Sequence, residues 1–174
     1  VIETVLAEIK PVAARDGFKV LTIDDGSSDR TPEILDRWAE REPSWFKALH
    51  VPHGGKDAAL WQAVGSVDTE WAGAMDGDGQ YDPGDIVKLL AEAAASSSGG
   101  VWGIRAARND NWWRLVSSAI GKTVKKLLLG RVAIEDPGCG LFILRKSVWD
   151  RVARLCPAPR GPGRAVGPRF HRGA

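Results

Sequence analysis

An α/β fold, with a mostly parallel sheet covered by helices, follows from the way this chain alternates. Segments with apolar residues at helical spacing take turns with short apolar runs of strand length. Two of those runs end in acidic, glycine-containing turns, DDGSSD and DGDGQ. Loops that follow the strands of a parallel sheet lie at its carboxyl edge, where such sheets bind ligands.

Residues 1–15 form the first helix, with Ile2, Val5, Leu6 and Ile9 on one side and no cap residue ahead of them. Residues 18–23 (FKVLTI) read as a buried strand. Thr31 suits the N-cap and Pro32 the first position of a helix running to residue 41. Strands are expected over 45–51, 71–75 and 100–104, and helices over 56–67 and 85–95. A long helix over 111–129 ends at Gly130, a last strand spans 140–144, and a short helix spans 147–155. No internal repeat is present.

The 174 residues suffice for one domain with a sizeable core, and 44% hydrophobic with 26% charged residues is a globular balance. The formal charge of +2 is unevenly spread. Residues 156–174 carry four Arg and no acid, leaving 20 basic and 22 acidic side chains over 1–155. No basic patch with interleaved aromatics exists, so nucleic acid is not an expected partner. Two cysteines, Cys139 and Cys156, exclude a disulfide framework and a Cys-rich zinc site and suit a reducing compartment. No uninterrupted apolar stretch is long enough for a bilayer span. The expectation is a cytoplasmic domain, soluble or peripheral at the cytoplasmic face of a membrane. Residues 156–174 have neither helical nor strand period and read as disordered or foreign to the fold, so the domain is placed at 1–155.

Asp76 and Asp78, two apart beyond an apolar strand, can point the same way and offer hard oxygens to a divalent cation, with Gln80 as a third donor. Mg²⁺ completes its shell with water and phosphate rather than a full protein cage. An isolated Asp-x-Asp is nonetheless more often an ordinary acidic turn. A calcium EF-hand loop fails here, because its sixth and twelfth positions fall on Tyr81 and Val87 instead of Gly and Glu. A phosphatase of the D-x-D-G type, with the first Asp as nucleophile, remains a rival. Asp24 and Asp25 could accept hydrogen bonds from a base N–H or ribose hydroxyls; the same turn reads equally well as a cap for the helix after it.

Taken together, the blocks resemble the family 2 glycosyltransferases. VLTIDDGSSDRTPEIL resembles their V-D-D-G-S-x-D-x-T signature, and HGGKDAALWQAV with WAGAMDGDGQYDPGDIVKLL resembles the next two blocks. VWGIRAARNDNWWRLVSSAIGKTVKKLLLG and EDPGCGLFILRKSVWDRV resemble the branch of dolichol-phosphate mannose synthase and bacterial polyprenyl-phosphate sugar transferases. The resemblance implies the GT-A fold, a Rossmann-like nucleotide-sugar-binding domain. It implies that Asp24, Asp25 and Asp76 bind the nucleotide, and that Asp76, Asp78 and Gln80 bind Mg²⁺ or Mn²⁺ with the diphosphate. Arg105, Arg114 and Ser118 match the residues for the acceptor phosphate. Arg114 and Ser118 are spaced i and i+4, on one helix face. Without these neighbours both arginines would read as solvated surface.

The implied reaction moves a sugar, with inversion, from a GDP- or UDP-sugar to a polyprenyl phosphate. Asp78 and Asp136 are the candidate catalytic carboxylates, Asp136 as a base if the acceptor were a hydroxyl and otherwise a turn residue before Pro137. Trp112 and Trp113 fit either a core or a membrane interface. The family's opening strand, with its P-x-Y-N-E-like block, would precede Val1, and Phe142 stands where a basic residue is common. The chain therefore reads as truncated at both ends, with an unpaired edge on the strand before Asp24 and weak or absent activity.

Overall fold

The computed structural model describes residues 1–96, 98–104 and 139–156. The expected long helix over 111–129, Trp112, Trp113 and the tail beyond Cys156 lie outside the described residues. The other expected elements are present, with ends shifted by a residue or two.

Helix α1 (Ile2–Asp16) starts without a side-chain cap and stops at Gly17, whose φ of 71° is the left-handed conformation that glycine adopts without a Cβ clash. Strand β1 (Val20–Asp25) pairs in parallel with β2 (Phe46–Val51), in a register that sets Asp24 beside His50 and Asp25 beside Val51. Between them, α2 (Thr31–Arg41) packs its apolar side inward. Thr31 is the first helical residue rather than the cap: its N–H is satisfied by Asp29 Oδ1 at 2.9 Å. Asp29 thus places a carboxylate where the helix start favours negative charge. Leu6, Leu35 and Phe46 form the buried centre of this half, with Trp38 and Trp45 edge-on against each other and against Phe46. Full burial of Phe46 and Leu35 contributes about 2–3 kcal/mol each.

The second half is built differently. After α3 (Lys56–Ser66) come β3 (Trp71–Ala74), α4 (Gly84–Ala95) and β4 (Gly100–Trp102). Strand β5 (Phe142–Arg145) lies between β3 and β4 and runs antiparallel to both; α5 (Lys146–Leu155) follows it. Phe142 faces Ala74 on one side and Trp102 on the other. Val64, Ala72, Phe142 and Leu144 are the buried centre here.

The α/β class holds, and the expected parallel pairing is found between β1 and β2. Among the described residues the other ladders are antiparallel, because β5 enters the space that the β3–α4–β4 crossover leaves open. Apolar runs cannot reveal such an insertion, since they carry period and not pairing partner. Among the described residues β1 bonds β2 and β3 bonds β5, so a cleft separates the two sheets. The cleft has a volume of about 1200 Å³, lined inside by apolar residues such as Val5, Ile23 and Ala72. Asp24, Asp25, Lys56, Asp76 and Gly140 line it too.

Candidate active site

Three groups of residues shape the polar part of the cleft: the turn after β1, the start of α3 together with the turn after β3, and Cys139 and Gly140 before β5. Each strand delivers its acidic residues at its carboxyl end, as expected for an α/β sheet.

At the end of β1, Asp24 is buried at 5% exposure. Its Oδ1 accepts the Ser27 N–H at 3.0 Å, and its Oδ2 lies 3.1 Å from His50 Nδ1. Gly26, at φ 73°, makes the turn possible, and a Cβ there would come within 2.9 Å of the His53 backbone nitrogen. His50 reaches across to Asp36, with Nε2 3.0 Å from Oδ1. A neutral imidazole donates from one nitrogen only, so carboxylates on both sides favour the protonated ring. Burial alone would lower the His50 pKa, but Asp24 and Asp36 outweigh it and raise the value above the ordinary one. Burial likewise acts to raise Asp24, and the hydrogen bonds from Ser27 and His50 overcome it and leave the carboxyl below its ordinary range.

Asp25 ties β1 to the turn that opens α3. Its Oδ1 accepts the Gly54 N–H at 2.8 Å and its Oδ2 the Gly55 N–H at 2.9 Å, with His53 Nδ1 3.0 Å away. Gly55, at φ 86°, lets that turn feed straight into the helix. The backbone of Lys56 is therefore held in place at the first position of α3.

Lys56 meets the second acidic loop. Its Nζ lies 2.6 Å from Asp76 Oδ1 and 2.8 Å from Oδ2. Asp78 and Gln80 are exposed on the same loop, where Asp78 Oδ1 accepts the Gln80 N–H at 3.0 Å across a turn opened by Gly79 at φ 80°. The third segment closes on Asp76. Gly140 N–H donates to Tyr81 Oη at 3.0 Å, and a Cβ on Gly140 would sit 2.0 Å from Asp76 Oδ2. Only glycine leaves room for that carboxylate.

Asp24, Asp25 and Asp76 thus line one cleft, with Asp78 and Gln80 on the loop that continues from it. Arg105, Arg114, Ser118 and Asp136 lie outside the described residues. Lys56, His50 and Gly140 were not singled out from sequence. A cation at the first position of a helix, where anions are favoured, was the available signal for Lys56. The pairing of β1 with β2 would have been needed to find His50.

Among the described residues no group of three or more His, Cys, Asp or Glu converges as a metal cage. Asp76, Asp78 and Gln80 are the residues that could hold such a cation, since their side chains carry the oxygen donors that Mg²⁺ or Mn²⁺ takes alongside water and phosphate. The Lys56 ammonium, bridging both Asp76 oxygens, shows that this carboxylate already attracts a cation.

The chain matches the family model Glycosyl transferase family 2 over residues 1–152. It is 33% identical over 134 residues to an undecaprenyl-phosphate 4-deoxy-4-formamido-L-arabinose transferase of Pseudomonas aeruginosa (strain LESB58), covering 76% of this chain and 39% of that protein. The transferase of the same name from Edwardsiella ictaluri (strain 93-146) is 31% identical over 132 residues, covering 75% and 40%. The chain spans about two fifths of the length of these curated relatives. Among solved structures it is similar to the mannosyltransferase PcManGT from Pyrobaculum calidifontis in complex with GDP-Man and Mn2+, with a TM-score of 0.60 and 22% identity over 87% of this chain and 42% of that one. That likeness establishes the fold, the GT-A type. No described helix is long and apolar enough to cross a membrane.

Proposed function

The chain belongs to glycosyl transferase family 2, and from that premise we propose that it moves a sugar from a GDP- or UDP-sugar to a polyprenyl phosphate, with Mg²⁺ or Mn²⁺ and with inversion. The observation that carries this reading is the meeting of both acidic loops at one cleft, at the carboxyl ends of β1 and β3. The names of the relatives support the acceptor, and the GDP-Man and Mn2+ of the solved mannosyltransferase support the donor and cation. The phosphatase alternative is set aside, because the family match spans both acidic loops.

In this reading Asp25 meets the donor's base or ribose through lone pairs left over from Gly54 and Gly55. Asp24, the more enclosed of the two, shapes the loop and adds its charge. Asp76, Asp78 and Gln80 hold the divalent cation, which when bound offsets the charge gathering on the departing diphosphate. Gly140 gives Asp76 its seat. Arg105, Arg114 and Ser118 are assigned to the acceptor phosphate, for which a guanidinium is a natural partner.

A phosphate monoester has a second pKa of about 6, so at neutral pH the acceptor is already an anionic nucleophile. Its oxygen attacks the anomeric carbon in line, the bond to the donor diphosphate breaks, and no strong general base is required. Asp136 is the base only for a hydroxyl acceptor. The work then falls to orientation and charge stabilisation. Such an acceptor sits in a bilayer, so in this reading the protein works at a membrane surface, the cytoplasmic face being the one proposed.

The test is to incubate the protein with GDP- or UDP-sugars, Mn²⁺ and undecaprenyl phosphate. Glycosylated lipid and free nucleoside diphosphate are the expected products. Arg114→Ala should impair transfer while sparing donor binding. Equal loss of donor affinity would move Arg114 to the nucleotide or to the fold. Phosphate release from a simple monoester, with no sugar transfer, would overturn the function.

A further inference from the structure

Lys56 is an odd residue for its position. It opens α3, where the helix end favours anions, yet it is a cation. Its ion pair with Asp76 is no strong reason to keep it there, because exposed pairs stabilise little and the Lys56 side chain is 62% exposed. The pair is also unequal. Asp76 is 31% exposed, on a short side chain packed closely against Gly140. Lys56 has a flexible four-carbon stem in open solvent. When another cation comes to Asp76, Lys56 is the partner that can leave.

We propose that Lys56 is a mobile counter-ion shared between Asp76 and the donor's diphosphate. In the free protein it covers Asp76; it yields that carboxylate to the divalent cation and turns to the diphosphate oxygens. This rests on the donor and cation reading above. The chemistry is that of a nucleoside diphosphate, whose oxygens would draw an ammonium carried on a helix start close to Asp76. Asp25 is the anchor of the arrangement, since its hold on Gly54 and Gly55 sets where Lys56 begins its reach. The ammonium thus opposes one carboxylate before loading and one of the diphosphate's charges after it.

The exchange makes opposite demands on one side chain, and those give the test. Binding of Mn²⁺ alone is read by the loss of its free electron paramagnetic resonance signal. Binding of GDP and of UDP is then read by calorimetry at saturating Mn²⁺. Lys56→Met should bind Mn²⁺ alone about three- to tenfold more tightly, because a competing cation is gone. The same variant should bind the nucleoside diphosphate about three- to tenfold more weakly, and Lys56→Arg should restore it. A purely structural role would lower both affinities together with the melting temperature, which overturns the proposal. Unchanged Mn²⁺ affinity in Lys56→Met, where Asp76→Asn has lost it, overturns the proposal and leaves the cation site standing. Mn²⁺ binding indifferent to Asp76→Asn overturns both.

Discussion

The loop that leaves β1 and the loop that leaves β3 carry the same kind of residue and use it in opposite ways. After β1 the carboxylates are spent on the chain itself. Asp24 accepts from Ser27 and meets His50, Asp25 accepts from Gly54 and Gly55, and Asp29 accepts from Thr31. Apart from the contact with His50, each bond satisfies a backbone donor that the turn would otherwise leave open. After β3 the carboxylates face outward: Asp78 is exposed, and Asp76 meets a solvated ammonium. Acidic residues committed to backbone donors build a rigid wall. Asp76, opposed by a flexible cation, and Asp78, which spends one oxygen on the Gln80 N–H and leaves the other to solvent, are open to a metal. Charge count alone would not separate the two loops, which differ in degree of commitment: Asp25 spends both oxygens on backbone donors, Asp78 one and Asp76 none.

The contrast can be broken most strongly from the outward loop. Asp78→Asn should remove metal-dependent nucleotide binding while leaving the melting temperature within a few degrees, because the side chain is exposed. Gly140→Ala comes next. A Cβ 2.0 Å from Asp76 Oδ2 must push the carboxylate or the 139–141 segment aside. The expected result is a stability loss of about 1–3 kcal/mol in urea melts, with weakened Mn²⁺ binding. Undiminished Mn²⁺ affinity in a folded Gly140→Ala protein would show that Asp76 needs no such seat.

The smallest effect belongs to the loop after β1 and depends on pH. The folded-state pKa of His50 is raised above its ordinary 6.5, so its contribution is fully present below that value and fades as pH rises through the raised one. Asp24 is lowered from 3.8, so its contribution is present above that value and is lost as pH falls through the folded-state one. His50→Gln should therefore cost most between these two ordinary values, by about 1 kcal/mol or less at this half-exposed position. The cost should shrink toward pH 9. Urea melts inside that window and again at about pH 9 check the sign, and a pH-independent deficit would mean that His50 acts through packing alone.

Much of this was legible in the sequence, because period and turn chemistry are local. The strand-then-acid pattern placed Asp24, Asp25 and Asp76 at one edge before any coordinates. What lay hidden depends on pairing and distance in space. His50 neighbours Asp24 only through the lateral register of β1 and β2. Gly140, 64 positions beyond Asp76, matters only because β5 inserts beside β3. Thr31 was read as a cap because its type is right, but Asp29 two residues earlier reaches the same N–H. The commitment of the first loop to its own chain was equally invisible, since DDGSSD looks the same whether its oxygens serve a ligand or a backbone.

The central claim, that the loop after β3 holds a divalent cation for a nucleoside diphosphate, is tested most directly by one calorimetric comparison. GDP and UDP are titrated into the wild-type chain and into Asp78→Asn, each with Mn²⁺ and again with EDTA. The account predicts binding of at least one nucleotide by the wild type with Mn²⁺, its loss in EDTA, and no metal-dependent binding in the variant. Binding of equal strength in all four conditions would contradict it.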